Sequence, residues 1–252
     1  MALLKKTTLA TLLIASMGNV ALASIPHKEI DASDLTRANT AAFIGVNNKG
    51  DVKASGSLSF QLDNGQMAMT TLEGTMDKDG KYSDSRLQYF HVFNLDNAVT
   101  PRIAASIDII DSNEFTTAAA GAVALFKTPI DSLTFFARGA VLAGEYSDNF
   151  MSEIGSSGDD NSIVGGMAAG YAVWKPGADG TYFALYPELT YLGGDVELTS
   201  VKTTLMGATP ISQDGTKWLQ AKIENTYTNV DSGSYNNDTD ETAVWFLYKA
   251  FF

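Results

Sequence analysis

Ionisable residues in this chain recur at alternate positions within apolar stretches. In residues 132–146, Arg138 lies opposite in parity to Leu133, Phe135, Ala137, Gly139, Val141 and Ala143. In 101–110, Arg102, Ser106 and Asp108 alternate with Ile103, Ala105, Ile107 and Ile109. In 181–192, Tyr182, Tyr186, Glu188 and Thr190 alternate with Phe183, Leu185, Leu189 and Tyr191. In 215–228, Gln220, Lys222, Glu224 and Thr226 alternate with Leu219, Ala221 and Ile223. Successive residues of a strand face opposite sides of a sheet. Each stretch therefore presents one apolar face and one face with charge. Arg138 and Lys222, set against Asp108, Glu188 and Glu224, would bias the passage of solutes if the polar faces enclose water. If they enclose none, the same charges tie into a salt-bridged filling of side chains.

Other chemistry finds little support. The chain has two histidines, His27 and His91, and no cysteine. Thiolate zinc sites, cysteine nucleophiles and a disulfide framework are thereby excluded. Hydrolases and acyltransferases mostly need a histidine base held near a serine or carboxylate. His91 shares parity with Leu87, Tyr89, Phe93 and Leu95, an apolar face, and His27 lies in a polar leader. No GxSxG, HExxH or P-loop pattern occurs. The acidic stretches 158–161 and 231–241 offer clustered oxygens, but neither has the spacing of an EF-hand, so they read as solvated loops. Catalytic residues, metals and cofactors are accordingly not expected. With 17 Lys+Arg against 29 Asp+Glu, a net charge of −12, a nucleic-acid partner is not expected either.

The elements that must position the charged face are strands. Residues 1–23 read as a cleaved signal peptide: Lys5 and Lys6, an apolar run from Leu9 to Met17, and a small-x-small site at Ala21-Leu22-Ala23. Residues 24–38 read as a polar periplasmic leader ordered against the floor of the fold. From 39 to 252, one domain of period-2 alternation predicts strands near 39–46, 52–62, 66–76, 84–95, 101–110, 114–127, 132–146, 162–174, 181–193, 195–206, 215–229 and 241–252. Val52 to Leu62 is the cleanest, with Lys53, Ser55, Ser57, Ser59 and Gln61 on one face, followed by an Asp63-Asn64-Gly65 turn. Many of these strands match the roughly 9–11 tilted residues that cross a bilayer. With both termini on one side, the turns on that side are mostly short, and the opposite side receives the long segments 147–161 and 230–240. A stretch from Gly207 to Gly215 reads as a linker. The Gly and Ala residues on both faces of 114–124 and 162–174 leave space inside. A ten-strand count follows if 39–46 and 195–206 lie outside the closed sheet.

The end of the chain, ETAVWFLYKAFF, places Val244, Phe246, Tyr248, Ala250 and Phe252 on one apolar face. This resembles the C-terminal strand of Gram-negative outer-membrane barrels, which alternates and ends in an aromatic residue read by the barrel-assembly machinery. Ala250 stands where that class more often has an aromatic. The resemblance implies an antiparallel up-and-down transmembrane β-barrel of about twelve strands, all-β, in the bacterial outer membrane. It implies that Val244, Phe246, Tyr248 and Phe252 form the assembly signal. Twelve-stranded families that transport acidic sugars are similar in architecture, but their arginine-rich lumen is not evident in this sequence.

Taken together, these features lead to an expected small passive channel for small polar solutes, in contact with the lipid bilayer. The alternatives are a non-conducting structural barrel, or an adhesive one that meets a surface partner through 147–161 and 230–240. A lipid-modifying enzyme is the least favoured.

Overall fold

The structure, a computed structural model, describes residues 30–233 and 235–252. The expected signal peptide and residues 24–29 of the leader, with His27, lie outside the described residues. Twelve antiparallel strands close into one barrel. They are β1 Ala41–Asn47, β2 Val52–Gln61, β3 Met67–Met76, β4 Tyr82–Asn94, β5 Arg102–Ser112, β6 Phe115–Lys127 and β7 Leu133–Tyr146. After a short helix, α1 Asp148–Glu153, come β8 Ser162–Trp174, β9 Tyr182–Gly193, β10 Glu197–Pro210, β11 Lys217–Asp231 and β12 Asn236–Phe251. Each strand pairs with its neighbours in sequence, and β12 closes on β1 with Ala41 opposite Phe251 and Asn47 opposite Trp245. Phe252 adds a last rung, its N–H donating to the Thr40 carbonyl at 3.0 Å. Closure pairs every strand on both sides and leaves no sheet edge along the paired length.

The alternation read from the sequence places the faces. Ile107, Val141, Val164, Leu185, Ile223 and Phe246 are among the large apolar side chains exposed on the outside. Their neighbours in sequence point inward. Outward apolar residues and a mixed interior are what a bilayer-spanning barrel requires. Backbones approach closely at glycines along β6–β9. A Cβ at Gly165 would stand 2.0 Å from the Tyr191 carbonyl oxygen, and one at Gly144 would stand 2.1 Å from that of Thr116. Glycine at these two positions lets neighbouring backbones approach closely.

Three expectations need correcting. The ten-strand alternative is removed, because β1 and β10 both belong to the closed sheet. The 207–215 linker is shorter: Gly207 to Pro210 continue β10, with Gly207 opposite both Phe183 and Ala221. Its glycine marks a close approach to the Phe183 ring, 3.3 Å from where a Cβ would stand, rather than a break. The expected long loop at 230–240 is mostly strand, since β11 runs to Asp231 and β12 starts at Asn236. Polar strand residues there pair across the hairpin, with Asn225 Nδ2 donating to Asp240 (2.7 Å) and Asn229 Nδ2 to Asp238 (2.7 Å). Residues this polar carry no hydrophobic alternation, so the strand was invisible to the pattern.

Candidate functional site: the barrel lumen

All five charged residues singled out in the sequence face the lumen, and each is held in an ion pair. Asp108 on β5 is the most buried, at 1% exposure. It accepts from Arg86 Nε (2.6 Å), Gln88 Nε2 (2.8 Å) and Ser106 Oγ (3.0 Å), and Arg138 lies 3.7 Å from its second oxygen. Glu188 pairs with Lys202 at 2.9 Å across the β9–β10 ladder. Lys222 and Glu224, two residues apart on the same face of β11, pair at 2.8 Å. Lys53 and Glu73 on β2 and β3 are 3.4 Å apart. Trp245 on β12 joins these groups, with Lys222 Nζ 5.4 Å and Lys53 Nζ 5.5 Å from its ring centre, distances at which a cation is drawn to an aromatic face.

These groups form a belt around the inside of the barrel. Its members are Lys53, Arg86, Arg138, Lys202 and Lys222 against Glu73, Asp108, Glu188 and Glu224. The signs nearly cancel, which is how charges persist inside a low-dielectric wall. The belt is not sealed, because the Lys202 side chain keeps 37% exposure and that of Arg86 keeps 29%. The partners Glu73, Arg86 and Lys202 were missed in the sequence. Around Arg86 both faces of β4 carry aromatics, which blurs the parity, and only the strand register brings Glu188 opposite Lys202.

Apolar side chains gather on either side of the belt. Toward the mouth that carries the termini, inward Phe90, Leu125, Phe136, Tyr182, Trp218 and Phe251 pack together, with Ile30, Ala32 and Ala38 of the leader against them. Residues 30–38 therefore lie within this mouth. Asp31 pairs with Lys175 beyond β8 at 2.7 Å, Asp34 pairs with Arg102 of β5, and the Tyr182 hydroxyl donates to the Ala32 carbonyl at 3.3 Å. Burial raises the Asp31 carboxyl, but hydrogen bonds from Lys175 and Ser33 outweigh it and hold the group below the ordinary carboxylate range. At the far mouth α1 folds inward. Met151 and the adjoining Ile154 are buried against Ala119, Leu142, Ile163, Leu192 and Leu198. The space that the small residues of β6 and β8 were expected to leave open is, at this end, filled by the 147–161 loop.

His91 stands on the outer wall beside the turn at 62–66. Its ring stacks on Phe93 with centres 4.5 Å apart, and its Nε2 lies 2.8 Å from Gln66 Oε1. Among the described residues no cluster of three or more His, Asp or Glu is placed to hold a metal ion. On β12, Phe246 and Tyr248 face outward, as does Phe252 just after it, and Val244 is half-buried, while Trp245, Leu247 and Phe251 face the lumen.

No protein-family model matches the chain, and no curated protein matches it by sequence. Solved structures do resemble it. The COG4313 outer membrane channel from Pseudomonas putida F1 matches with a TM-score of 0.58 at 12% identity, covering 89% of this chain and 100% of that one. The NanC porin matches with 0.57 at 13% identity, covering 84% and 99%. The KdgM porin, solved in complex with disordered oligogalacturonate, matches with 0.50 at 12% identity, covering 84% and 99%. These likenesses show a shared fold: the chain is a closed twelve-stranded antiparallel up-and-down β-barrel of the architecture seen in outer-membrane porins and channels.

Proposed function

We propose that the protein is an outer-membrane channel that passes small polar solutes through the barrel. The observation that carries this reading is the mid-barrel belt. Charged side chains turned away from an apolar outer wall keep partial exposure, so they border space that water can reach inside the sheet. Selectivity would be set by Arg138, Lys222, Asp108, Glu188 and Glu224 together with the partners Arg86 and Lys202. The termini would lie on the periplasmic side, and the β11–β12 connection and the 147–161 loop outside. Val244, Phe246, Tyr248 and Phe252 would be read by the assembly machinery, and the bilayer would meet the outer face. The acidic-oligosaccharide ligand of the KdgM structure belongs to that protein.

A second reading has its own support. Apolar packing at both mouths favours a structural barrel without conductance, acting through its exposed end. On that reading the surface partner would meet 147–161 and the 230–240 hairpin. Planar-bilayer recording separates the two. A channel gives discrete conductance steps and changes ion preference with Arg138→Glu. A structural barrel is silent in the wild type and in every variant, and loses function only when those exposed segments are altered.

A further inference from the structure

We infer that residues 31–38 are a releasable plug that closes the termini-side mouth of the lumen, latched by the ion pairs Asp31–Lys175 and Asp34–Arg102. This inference rests on the channel reading above.

Position comes first. The segment leaves β1 at Thr40 and reaches across the mouth. On one side it reaches a cavity of about 190 Å³ that Asp31, Asp34 and Arg37 border together with Ser55, Met69 and Lys249, on β2, β3 and β12. On the other side it is anchored to Arg102 at the start of β5, Lys175 after β8 and Tyr182 at the start of β9. It thus bridges opposite walls, whereas a leader lying under the rim would touch only one. Thr36 is fully buried and Ser33 nearly so, although neither is in a strand. A polar segment buried in this way fills cross-section that solute would need.

The segment is also shaped to hold itself. Asp31 Oδ1 accepts from the Ser33 N–H (3.2 Å) and hydroxyl (2.6 Å). Asp34 Oδ1 accepts from the Thr36 N–H (2.9 Å) and hydroxyl (2.7 Å). These two Asx turns in succession satisfy a short chain's own polar groups without a sheet. The second oxygen of each carboxylate reaches the wall: Asp31 Oδ2 meets Lys175, and Asp34 Oδ2 meets Arg102 while also accepting from Arg37 Nε of the segment itself (3.3 Å). The same residues thus form the fold of the plug and its latch.

The apolar contribution is small. Ala32 and Ala38, each a single methyl group, are its contacts with the mouth cluster, and Ile30 adds one just before it. Hydrophobic burial scales with area, so the charges hold the segment more than burial does. A plug held by a few ion pairs on a short tether suits release, and its failure to bury large side chains is what separates it from a permanent core.

The test uses the full chain. Asp31→Asn/Asp34→Asn keeps the size and turn-forming capacity of both residues and removes only the charge. Arg102→Gln/Lys175→Gln breaks the same pairs from the wall side, so a folding artefact of one variant would not be shared by the other. Two readouts are taken: open probability in a planar bilayer, and the rate at which a charged thiol reagent modifies Ser55→Cys, a buried position beneath the segment in a chain with no native cysteine. Both latch variants are expected to raise open probability and labelling rate at least tenfold while still migrating as heat-modifiable folded protein. Faster labelling with silent membranes would leave the plug movable but sink the channel it was inferred to close, and the inference with it. Conductance and labelling equal to wild type in both variants would overturn the plug while leaving the channel reading intact.

Discussion

Replacing Asp108 by asparagine is the most informative single change in the lumen. The carboxylate is 1% exposed and collects Arg86, Gln88, Ser106 and Arg138. Removing one partner of a buried ion pair costs about 3–5 kcal/mol, because the remaining charge is left without compensation. Here the two arginines keep 29% and 20% side-chain exposure, so water recovers part of that loss. A destabilisation of about 2–3 kcal/mol follows. Asparagine preserves the volume, so cavity formation adds little. The belt also changes character. With five cations against four anions it stands at a net of one positive charge, and Asp108→Asn raises that to two. Reversal potential in a salt gradient should therefore move toward anion preference. Stability is read from the urea midpoint by tryptophan fluorescence in refolded protein, and selectivity from single channels. A loss below about 0.5 kcal/mol, the range of a neutral surface change, together with an unmoved reversal potential would refute the belt as described.

Further outcomes follow from individual contacts. His91→Ala should cost about 1 kcal/mol, from the lost Phe93 stacking and Gln66 bond, and leave conductance unchanged; a large loss of function would point to chemistry at His91. Gly165→Ala puts a methyl group 2.0 Å from the Tyr191 carbonyl, so the heat-modifiable folded band should be largely lost on refolding, and normal assembly would show that the β8–β9 approach is looser than drawn. Met151→Ala should destabilise by about 2–3 kcal/mol, the lower part of the range for buried methionine, and increase current noise as α1 loosens; an unchanged urea midpoint and quiet traces would mean that α1 does not pack in the far mouth. Since the Asp31 carboxyl is held below its ordinary range, its pairing is fully present above the unfolded value and is lost only as pH falls through the folded one. Facing groups are Lys175 and Ser33 for Asp31, and Arg37 and Arg102 for Asp34. Open probability should accordingly stay flat from pH 8 to pH 5, and an opening centred between pH 5 and pH 7 would refute the latch.

Where strands carry an apolar outer face, period-2 alternation located them within a few residues and oriented the inward charges. It worked for β5, β7, β9 and β11 because large apolar side chains such as Ile107, Val141, Leu185 and Ile223 recur on their outer faces. It failed where that recurrence lapses. The upper β11–β12 hairpin stands clear of the apolar band, so Asn, Asp and Thr sit on a strand without alternation. Gly207 read as a break because a glycine in sequence cannot reveal the ring that crowds it. The ion pairs were beyond reach for a different reason: Lys202 meets Glu188, and Arg86 meets Asp108, only once the register of separate strands is set. The polar leader 30–38 was placed against the floor, but its burial inside the mouth depends on Arg102 at the start of β5 and on Lys175 and Tyr182 at the ends of β8 and β9, which only the pairing of β5 through β9 brings to one side of the mouth.

Single-channel recording of the refolded full chain in a planar bilayer, wild type beside Asp31→Asn/Asp34→Asn, bears most directly on whether this barrel conducts. Discrete steps, rare in the wild type and frequent in the variant, are the expected result. Protein that is folded and heat-modifiable yet silent in both forms would contradict it, leaving the charged belt as a structural filling of the barrel.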